Sequence, residues 1–374
     1  MTAPRKLRVA VLFGGRSAEH EISLLSARFV VSALDRDRFD PVLVGIDKSG
    51  RWLLQEEALL LAAARDPRLA KLNPDRPDVA LVAHPSEGGD ASLAIAGGPP
   101  TGLDVVFPVL HGPLGEDGCV QGLLELAGVP YVGAGVLGSA VGMDKDVMKR
   151  LLAAAELPMV PYRTIRRPAW DRARDAEITA AEATAGYPSF VKPANMGSSV
   201  GVSRATSREE LARAVDLAFE YDTKVIVEQG VPNAREVECS VLGNDEPIAS
   251  IPGEIRIDHA DGFYSYAAKY LDETGATIRI PADLSPAQAT AVQLLAIETF
   301  RALECAGLAR VDFFLSPAGD LYVNEINTLP GFTAISMYPK LWEASGVSAK
   351  ELVSRLVDLA IDRAATRRKL KTTA

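Results

Sequence analysis

The clearest chemistry in the sequence lies in the run ARVDFFLSPAGDLYVNEINTLPG, residues 309–331. Two apolar stretches flank a turn containing Pro317 and Gly319, which is the signature of a β-hairpin. With Pro317–Asp320 as the loop, Ser316 opposes Leu321, Asp312 opposes Glu325 and Arg310 opposes Asn327. Period-2 alternation then puts Arg310, Asp312, Glu325 and Asn327 on one face. Two carboxylates and an amide oxygen form a hard-oxygen set, suited to Mg²⁺ bridging phosphates and unsuited to zinc. A surface Arg–Asp–Glu ladder is the plainer alternative. The polar residues set between apolar positions in VNEIN, with the turn TLPG after them, favour a site.

A second group is FVKPANMGSSVGV, residues 190–202. It is not a Walker A loop, because the lysine precedes the glycines and a strand should follow. It still supplies phosphate-binding parts: Lys192, the hydroxyls of Ser198 and Ser199, and backbone N–H groups near Gly197 and Gly201. Lys145, opening a helix in GMDKDVMK, offers a second cation. A third group is FGGRSAE near the N-terminus, where Glu19 stands in the place of the last glycine of G-x-G-x-x-G. A carboxylate there repels a pyrophosphate and suits an ammonium group. Equally, Glu19 could only complement the dipole of a helix start. The loop HGPLGEDG brings His111, Glu116 and Asp117 to the end of another strand, where open α/β sheets bind ligands. A lone histidine in such a loop is more often a structural donor than a catalyst.

These groups need a scaffold that brings distant segments together. LRVAVLF at 7–13, a helix around 22–34 and PVLVGID at 41–47 read as a βαβ unit, joined by a buried strand in LDVVFPVLHG at 103–112. Residues 85–102 read as a surface loop or hairpin. From about residue 136 the pattern changes. A helix near 144–155 leads to strands at 160–165, 188–192, 201–204 and 224–229, with a helix at 207–220. Longer alternating strands follow from 235, then a helix at 286–305, the hairpin, and a C-terminal helix near 349–365. The fold class is therefore α/β and α+β: a small doubly wound sheet followed by α+β lobes that face each other.

Composition narrows the function. The chain has 374 residues, with 48% hydrophobic and 24% charged, which describes a globular protein and excludes a disordered one. A formal net charge of -9 argues against a general nucleic-acid partner. No apolar stretch is long enough to span a membrane, and the N-terminus runs into a Gly pair rather than a cleavage site. Cys119, Cys239 and Cys305 show no paired spacing, which fits reduced thiols in a cytoplasm.

Taken in order, FGGRSAEHEIS, HGPLGEDG, GMDK, VKPANMGSSVGVS, FYSYAAKYLDETG, ARVDFF and NEINTLPGFTAISMYP resemble the D-alanine:D-alanine ligase family of the ATP-grasp superfamily. The resemblance covers residues from about 7 to 355. It implies an N-terminal Rossmann-like (pre-ATP-grasp) domain, 1–135, and a two-lobed ATP-grasp fold with lobes at 136–229 and 230–374. It implies ATP and two Mg²⁺ ions, replaceable by Mn²⁺, D-alanine as substrate, a cytoplasmic location and a homodimer.

The resemblance also assigns roles. Lys145, Lys192 and Lys269 become phosphate cations, with Ser199 beside them in the loop. Glu228 and Val231 become the hinge at adenine, and Glu236 the carboxylate holding the ribose. Asp312, Glu325 and Asn327 become metal ligands. Glu19 anchors the first D-alanine ammonium and is linked through Ser198 to Tyr270. His111 stands on the substrate side. Arg310 and the Gly331 N–H stabilise the tetrahedral intermediate, and Ser336 with Met337 receives the second carboxylate. The segment 258–275 becomes a lid. One departure is visible: Glu228 and Glu236 are eight apart where the family commonly has seven, which places an extra residue at Asn233 or Ala234. The nearest rivals are ligases joining D-alanine to D-lactate or D-serine, other ATP-grasp carboxylate–amine ligases, and a non-catalytic ATP-binding module.

Overall fold

The computed structural model describes residues 5–17, 19–62, 71–82, 91–95, 101–257 and 276–371. The expected lid, with Lys269 and Tyr270, lies outside these residues.

The N-terminal sheet is built on β1 (Leu7–Gly14), followed by helix α1 (His20–Ala33) and β2 (Phe39–Ile46). β3 (Trp52–Gln55) lies antiparallel on the outer side of β2, and β7 (Val105–Pro108) lies parallel to β1 on its other side. A small antiparallel sheet of β4 (Val79–Val82), β5 (Ala91–Ile95) and β6 (Thr101–Leu103) stands where the sequence suggested a loop or hairpin. β1 is apolar at nearly every position because both its faces are covered. Val9, Val11 and Phe13 enter one core, while Ala10 and Leu12 enter another. Gly14 ends the strand at a φ of 91°, and a Cβ there would lie 2.2 Å from the Ile46 carbonyl oxygen. Only glycine lets the chain turn at that point toward Glu19.

Helices α3 (Cys119–Leu126), α4 (Val136–Met143) and α5 (Lys145–Ala154) then lead to a second sheet. It contains β8 (Tyr162–Arg166), β9 (Ser189–Pro193), β10 (Ser203–Ala205) and β11 (Lys224–Gln229), ordered β10-β9-β11-β8 with every pair antiparallel. α6 (Arg167–Ala185) and α7 (Arg208–Ala218) cover one face. The third sheet, ordered β15-β14-β12-β16-β17, comprises β12 (Arg235–Gly243), β14 (Gly253–Ile257), β15 (Ala276–Arg279), β16 (Gly307–Leu315) and β17 (Leu321–Asn327), with β13 (Ile248–Ala249) paired to β12. α8 (Pro286–Ala302) packs on this sheet; α9 (Met337–Ala344) and α10 (Ala349–Arg368) close the chain.

α4 and α5, which the expected division groups with the strands up to residue 229, pack on the third sheet. Val141 of α4 and Met148 and Leu152 of α5 bury with β12 and β16, in the core of the third sheet. α2 (Glu57–Ala62), α3, α4, α6 and α9 were not read from the sequence. α6 shows why: of its 19 residues, Trp170, Ile178, Ala181 and Ala185 are the buried ones, so half the inward face is alanine and the periodic signal is weak. No helix among the described residues is long and apolar enough to cross a membrane.

Candidate active site in the cleft between the second and third sheets

The β16–β17 hairpin forms one wall of the cleft. Asp312 opposes Glu325 and Arg310 opposes Asn327, as the spacing predicts. Beyond them the expected register fails: Leu315, not Ser316, opposes Leu321. A bulge after Asp312 leaves Asn324 as the extra residue, so Asn324 and Glu325, adjacent in sequence, both line the cleft. Arg310 forks onto Asp312, with Nε to Oδ1 and Nη2 to Oδ2 both at 2.7 Å, and its Nε is 2.9 Å from Glu238 Oε2. The Asn327 amide donates to Asp312 Oδ2 at 3.0 Å. Burial disfavours the Arg310 charge, but Asp312 and Glu238 outweigh it and hold the guanidinium firmly protonated. Among the described residues no three His, Cys, Asp or Glu side chains gather as a metal site. The donor set is two carboxylates and an amide, with Arg310 engaging one of them, so it fits a hard cation that shares its shell with a ligand's oxygens.

Cations face this wall. Asp144 caps α5 by accepting from the N–H groups of Asp146 and Val147, both at 3.1 Å, and Lys224 locks Asp144 at 2.5 Å. Lys145, the next residue, thus starts the helix in a fixed position. Its Nζ donates to the Met196 carbonyl at 2.6 Å and lies 3.8 Å from Glu325 Oε2. Lys192, from β9, donates to Asn324 Oδ1 at 3.1 Å and pairs with Glu228 Oε2 at 2.6 Å. Glu228 is buried, yet Lys149 and Lys192 overcome the desolvation and bring its carboxyl down to about 2. Val231 and Glu236 line the cleft beside it. Asn233, where the extra residue was placed, has a φ of 54°, which asparagine tolerates better than most residues.

The Gly/Ser loop joins this cleft to the N-terminal unit. Ser198 and Ser199 sit at φ of 49° and 58°, and Ser198 Oγ donates to Glu19 Oε1. Glu19 occupies the N-cap position of α1 but its side chain caps nothing there. Its contact is instead with the Gly/Ser loop. Glu116 lies alongside, accepting from the Gly112 N–H at 2.8 Å; burial first, then Glu19, push its carboxyl up to about 8. A Cβ at Gly197 would come within 3.3 Å of Glu19 Oε2 and 3.6 Å of Glu116 Oε1, so a side chain there would crowd both carboxylates. His111 is buried, bonded through Nδ1 to the Leu329 carbonyl at 3.1 Å and through Nε2 to Ser26 Oγ at 3.3 Å. Desolvation lowers its pKa, leaving a neutral ring that ties the 329–332 turn to α1. In that turn Ser336 Oγ accepts from the Thr333 N–H at 3.0 Å and sits 3.0 Å from where a Gly331 Cβ would be. The Met337 side chain packs with Ile255 and Leu341, and its backbone starts α9.

Comparison with known proteins fixes the family. Residues 8–134 match the description "D-ala D-ala ligase N-terminus" and residues 151–358 match "D-ala D-ala ligase C-terminus". The chain belongs to the D-alanine–D-alanine ligase family. It is 50% identical over 370 residues to D-alanine–D-alanine ligase A of Escherichia coli K12, covering 98% of this chain and 99% of that one. It is 51% identical over 359 residues to the D-alanine–D-alanine ligase of Heliobacterium modesticaldum, covering 96% and 95%. The solved D-alanine-D-alanine ligase from Coxiella burnetii superposes with a TM-score of 0.82 at 38% identity, covering 97% of this chain and 98% of that one. The VanG D-Ala:D-Ser ligase from Enterococcus faecalis gives the same TM-score at 36% identity, covering 95% and 100%.

Within this ligase-family chain, one cleft gathers Lys145, Lys192, Ser198, Ser199, Glu228, Val231, Glu236, Asp312 and Glu325. Asn327 joins an adjoining recess with Glu116 and Lys145. His111 lies behind these surfaces as a structural tie. Sequence reasoning missed Glu238, Asn324 and Lys149. Glu238 could have been found by period 2 from Glu236 on β12 and Lys149 by its place one turn after Lys145. Asn324 could not, because period 2 assigns it to the opposite face from Glu325.

Proposed function

We propose that this chain joins two D-alanine molecules into D-alanyl-D-alanine, with cleavage of ATP to ADP and phosphate, and so supplies a peptidoglycan precursor in the cytoplasm. The observation that carries the reading is the Ser198–Glu19 contact. It brings a carboxylate from the N-terminal unit to the phosphate-binding loop, within the reach needed to hold an amino acid beside a nucleotide. The relatives near 50% identity are named for joining D-alanine to D-alanine, whereas the D-serine ligase stands at 36%.

In this reading the nucleotide lies between the two sheets. Glu228 and Val231 meet the base, Glu236 holds the ribose, and Lys145, Lys192, Ser199 and the lid's Lys269 hold the phosphates. Glu19, beside a Glu116 whose carboxyl burial pushes up to about 8, receives the ammonium of the first D-alanine, with Ser198 and Tyr270 completing the set. A carboxylate oxygen of that amino acid then attacks the terminal phosphorus, ADP leaves, and an acyl phosphate forms. The second amine, after losing a proton, attacks the acyl carbon and inorganic phosphate leaves; Arg310 and the Gly331 N–H face the oxygen that becomes negative in that step. Ser336 and the Met337 backbone hold the second carboxylate. When bound, two Mg²⁺ ions, or Mn²⁺ in their place, on Asp312, Glu325 and Asn327 would supply positive charge to the transferring phosphoryl oxygens.

The test is ADP release across a panel of D- and L-amino acids and D-hydroxy acids, with the products separated. D-alanine alone should support turnover and give the dipeptide. Equal or greater release with D-lactate or D-serine as acceptor would overturn the substrate assignment, and ADP release with none of them would overturn the ligase reading.

A further inference from the structure

Lys149 is a fully buried ammonium that neither the phosphate nor the metal reading uses. Its side chain is 0% exposed and it does not line the cleft. Its Nζ lies 2.8 Å from Glu228 Oε1 and 5.5 Å from the centre of the Tyr162 ring. The other oxygen of Glu228 is 2.6 Å from Lys192. One cleft-facing carboxylate is therefore held between two ammonium groups on different elements, α5 and β9.

Such an arrangement is a poor stability device. Taking a lysine and a carboxylate out of water costs several kcal/mol per ion, and apolar side chains of the same volume often do as well. What the arrangement does achieve is geometric and electronic. Glu228 cannot swing, because each oxygen has its own cation. It stays ionised, so toward the cleft it can only accept hydrogen bonds. A 6-aminopurine offers an N–H donor at that edge, whereas a 6-oxopurine offers an acceptor and would leave two acceptors facing each other.

We propose that Lys149 is a positioning residue that acts through Glu228 to make the cleft select 6-aminopurine nucleotides over 6-oxopurine nucleotides. The inference rests on Glu228 facing the nucleotide base, as proposed above. It fits the low carboxyl pKa of Glu228, which burial alone would raise. Removing Lys149 leaves Glu228 with Lys192 alone, so Oε1 loses the cation that fixes it while the Lys192 contacts stay in place.

The experiment uses the full chain with Mg²⁺ and no amino acid, and measures direct binding of ATP and inosine triphosphate. Steady-state kcat and KM for ATP, and thermal melting, are followed in parallel. The variants are Lys149→Met, Glu228→Gln and the pair together. Losing one charge-assisted hydrogen-bond partner corresponds to on the order of tenfold in affinity. Lys149→Met should weaken ATP binding by about that factor, shrink the ATP/inosine triphosphate ratio by a similar factor, and leave kcat within about threefold. In the Glu228→Gln background, adding Lys149→Met should leave the ratio unchanged, because the effect runs through the carboxylate. An unchanged ratio in Lys149→Met, with only the melting temperature lowered, overturns the proposal. If Lys149→Met does not fold, Lys149→Gln, which keeps a polar donor but loses the charge, decides: a wild-type ratio there overturns the proposal. A Glu228→Gln variant with the wild-type ratio shows instead that Glu228 does not face the base, and the proposal falls with that premise while D-alanine-dependent ADP release stands.

Discussion

Arg310 has two carboxylates, and their energetic coupling can be measured. Its side chain is 16% exposed, with Asp312 at 13% and Glu238 at 5%, so all three are largely out of water. In the single variants Asp312→Asn and Glu238→Gln the guanidinium keeps one anionic partner. Each should lower stability by about 1.5–3 kcal/mol, the usual worth of hydrogen bonds to a charged group. In the double variant the guanidinium has no anion among these two partners, and an uncompensated buried charge costs about 3–5 kcal/mol. Because the guanidinium keeps an anion in each single, the singles should sit at the lower end, about 1.5 kcal/mol each and about 3 kcal/mol together, so a double-variant cost of about 4–5 kcal/mol exceeds their sum by about 1 kcal/mol or more. Urea unfolding of the four proteins, followed by tryptophan fluorescence and far-ultraviolet circular dichroism, closes the cycle. Turnover separates the two carboxylates: Asp312→Asn should abolish it, because a proposed metal ligand is lost, whereas Glu238→Gln should retain a measurable fraction. If the double variant is additive to within about 0.5 kcal/mol, Arg310 is not shared between the two carboxylates and the reasoning fails.

Three further expectations follow from the same geometry. Glu325→Gln should melt within a few degrees of wild type but lose on the order of a thousandfold or more in kcat, even in saturating Mg²⁺, because one charge facing the phosphates is gone; ADP release and calorimetry check this, and retained activity would remove Glu325 from the metal set. Ser198→Ala, which deletes the donor to Glu19, should raise the KM for D-alanine by about tenfold while leaving the KM for ATP nearly unchanged; equal shifts in both would detach Ser198 from the amino-acid site. Glu228 lowers its carboxyl from 4.5 to about 2 on folding. The stability it contributes is fully present above pH 4.5 and is lost as pH falls toward 2, by roughly 3 kcal/mol. The acid limb of unfolding should flatten by that order in Glu228→Gln, and an unchanged limb would contradict the ion-pair assignment.

The parts of the fold visible in the sequence are those whose signal is local. KVIVEQ has strong β propensity and is bounded by a helix end and a turn, and it forms β11 at Lys224–Gln229. The two functional hairpin pairs followed from a turn and period 2. The bulge did not, because an inserted residue leaves the alternation intact on both sides and shows only as a shifted partner. α4 and α5 bury their apolar residues on a sheet whose strands begin more than eighty residues later, which no local pattern encodes. The same holds for the site. Ser198 and Glu19 are separated by 179 positions, and residue chemistry alone left Glu19 balanced between a helix dipole and a ligand. The family resemblance chose the ligand, and what the fold adds is the Ser198 contact that ties Glu19 to the Gly/Ser loop.

The charge balance of the cleft bears on why this chain should need a metal at all. Among the described residues, Lys145 and Lys192 line it together with Glu228, Glu236, Glu238, Asp312 and Glu325. Glu228 is neutralised by Lys149 and Lys192, and Glu238 shares Arg310 with Asp312, so those cations are already engaged within the protein. A triphosphate adds several further negative charges to a wall that carries an anionic excess. At separations of about 4 Å each unscreened like-charge pair opposes binding by about 4 kcal/mol at an effective dielectric near 20. Lys145 alone does not offset that. In the proposed reading, divalent cations held by Asp312 and Glu325 would reverse the sign of the same interactions, turning the carboxylates from repelling groups into anchors. On that reading the acidity of the cleft would make nucleotide binding conditional on metal, and would put positive charge where the terminal phosphate is transferred.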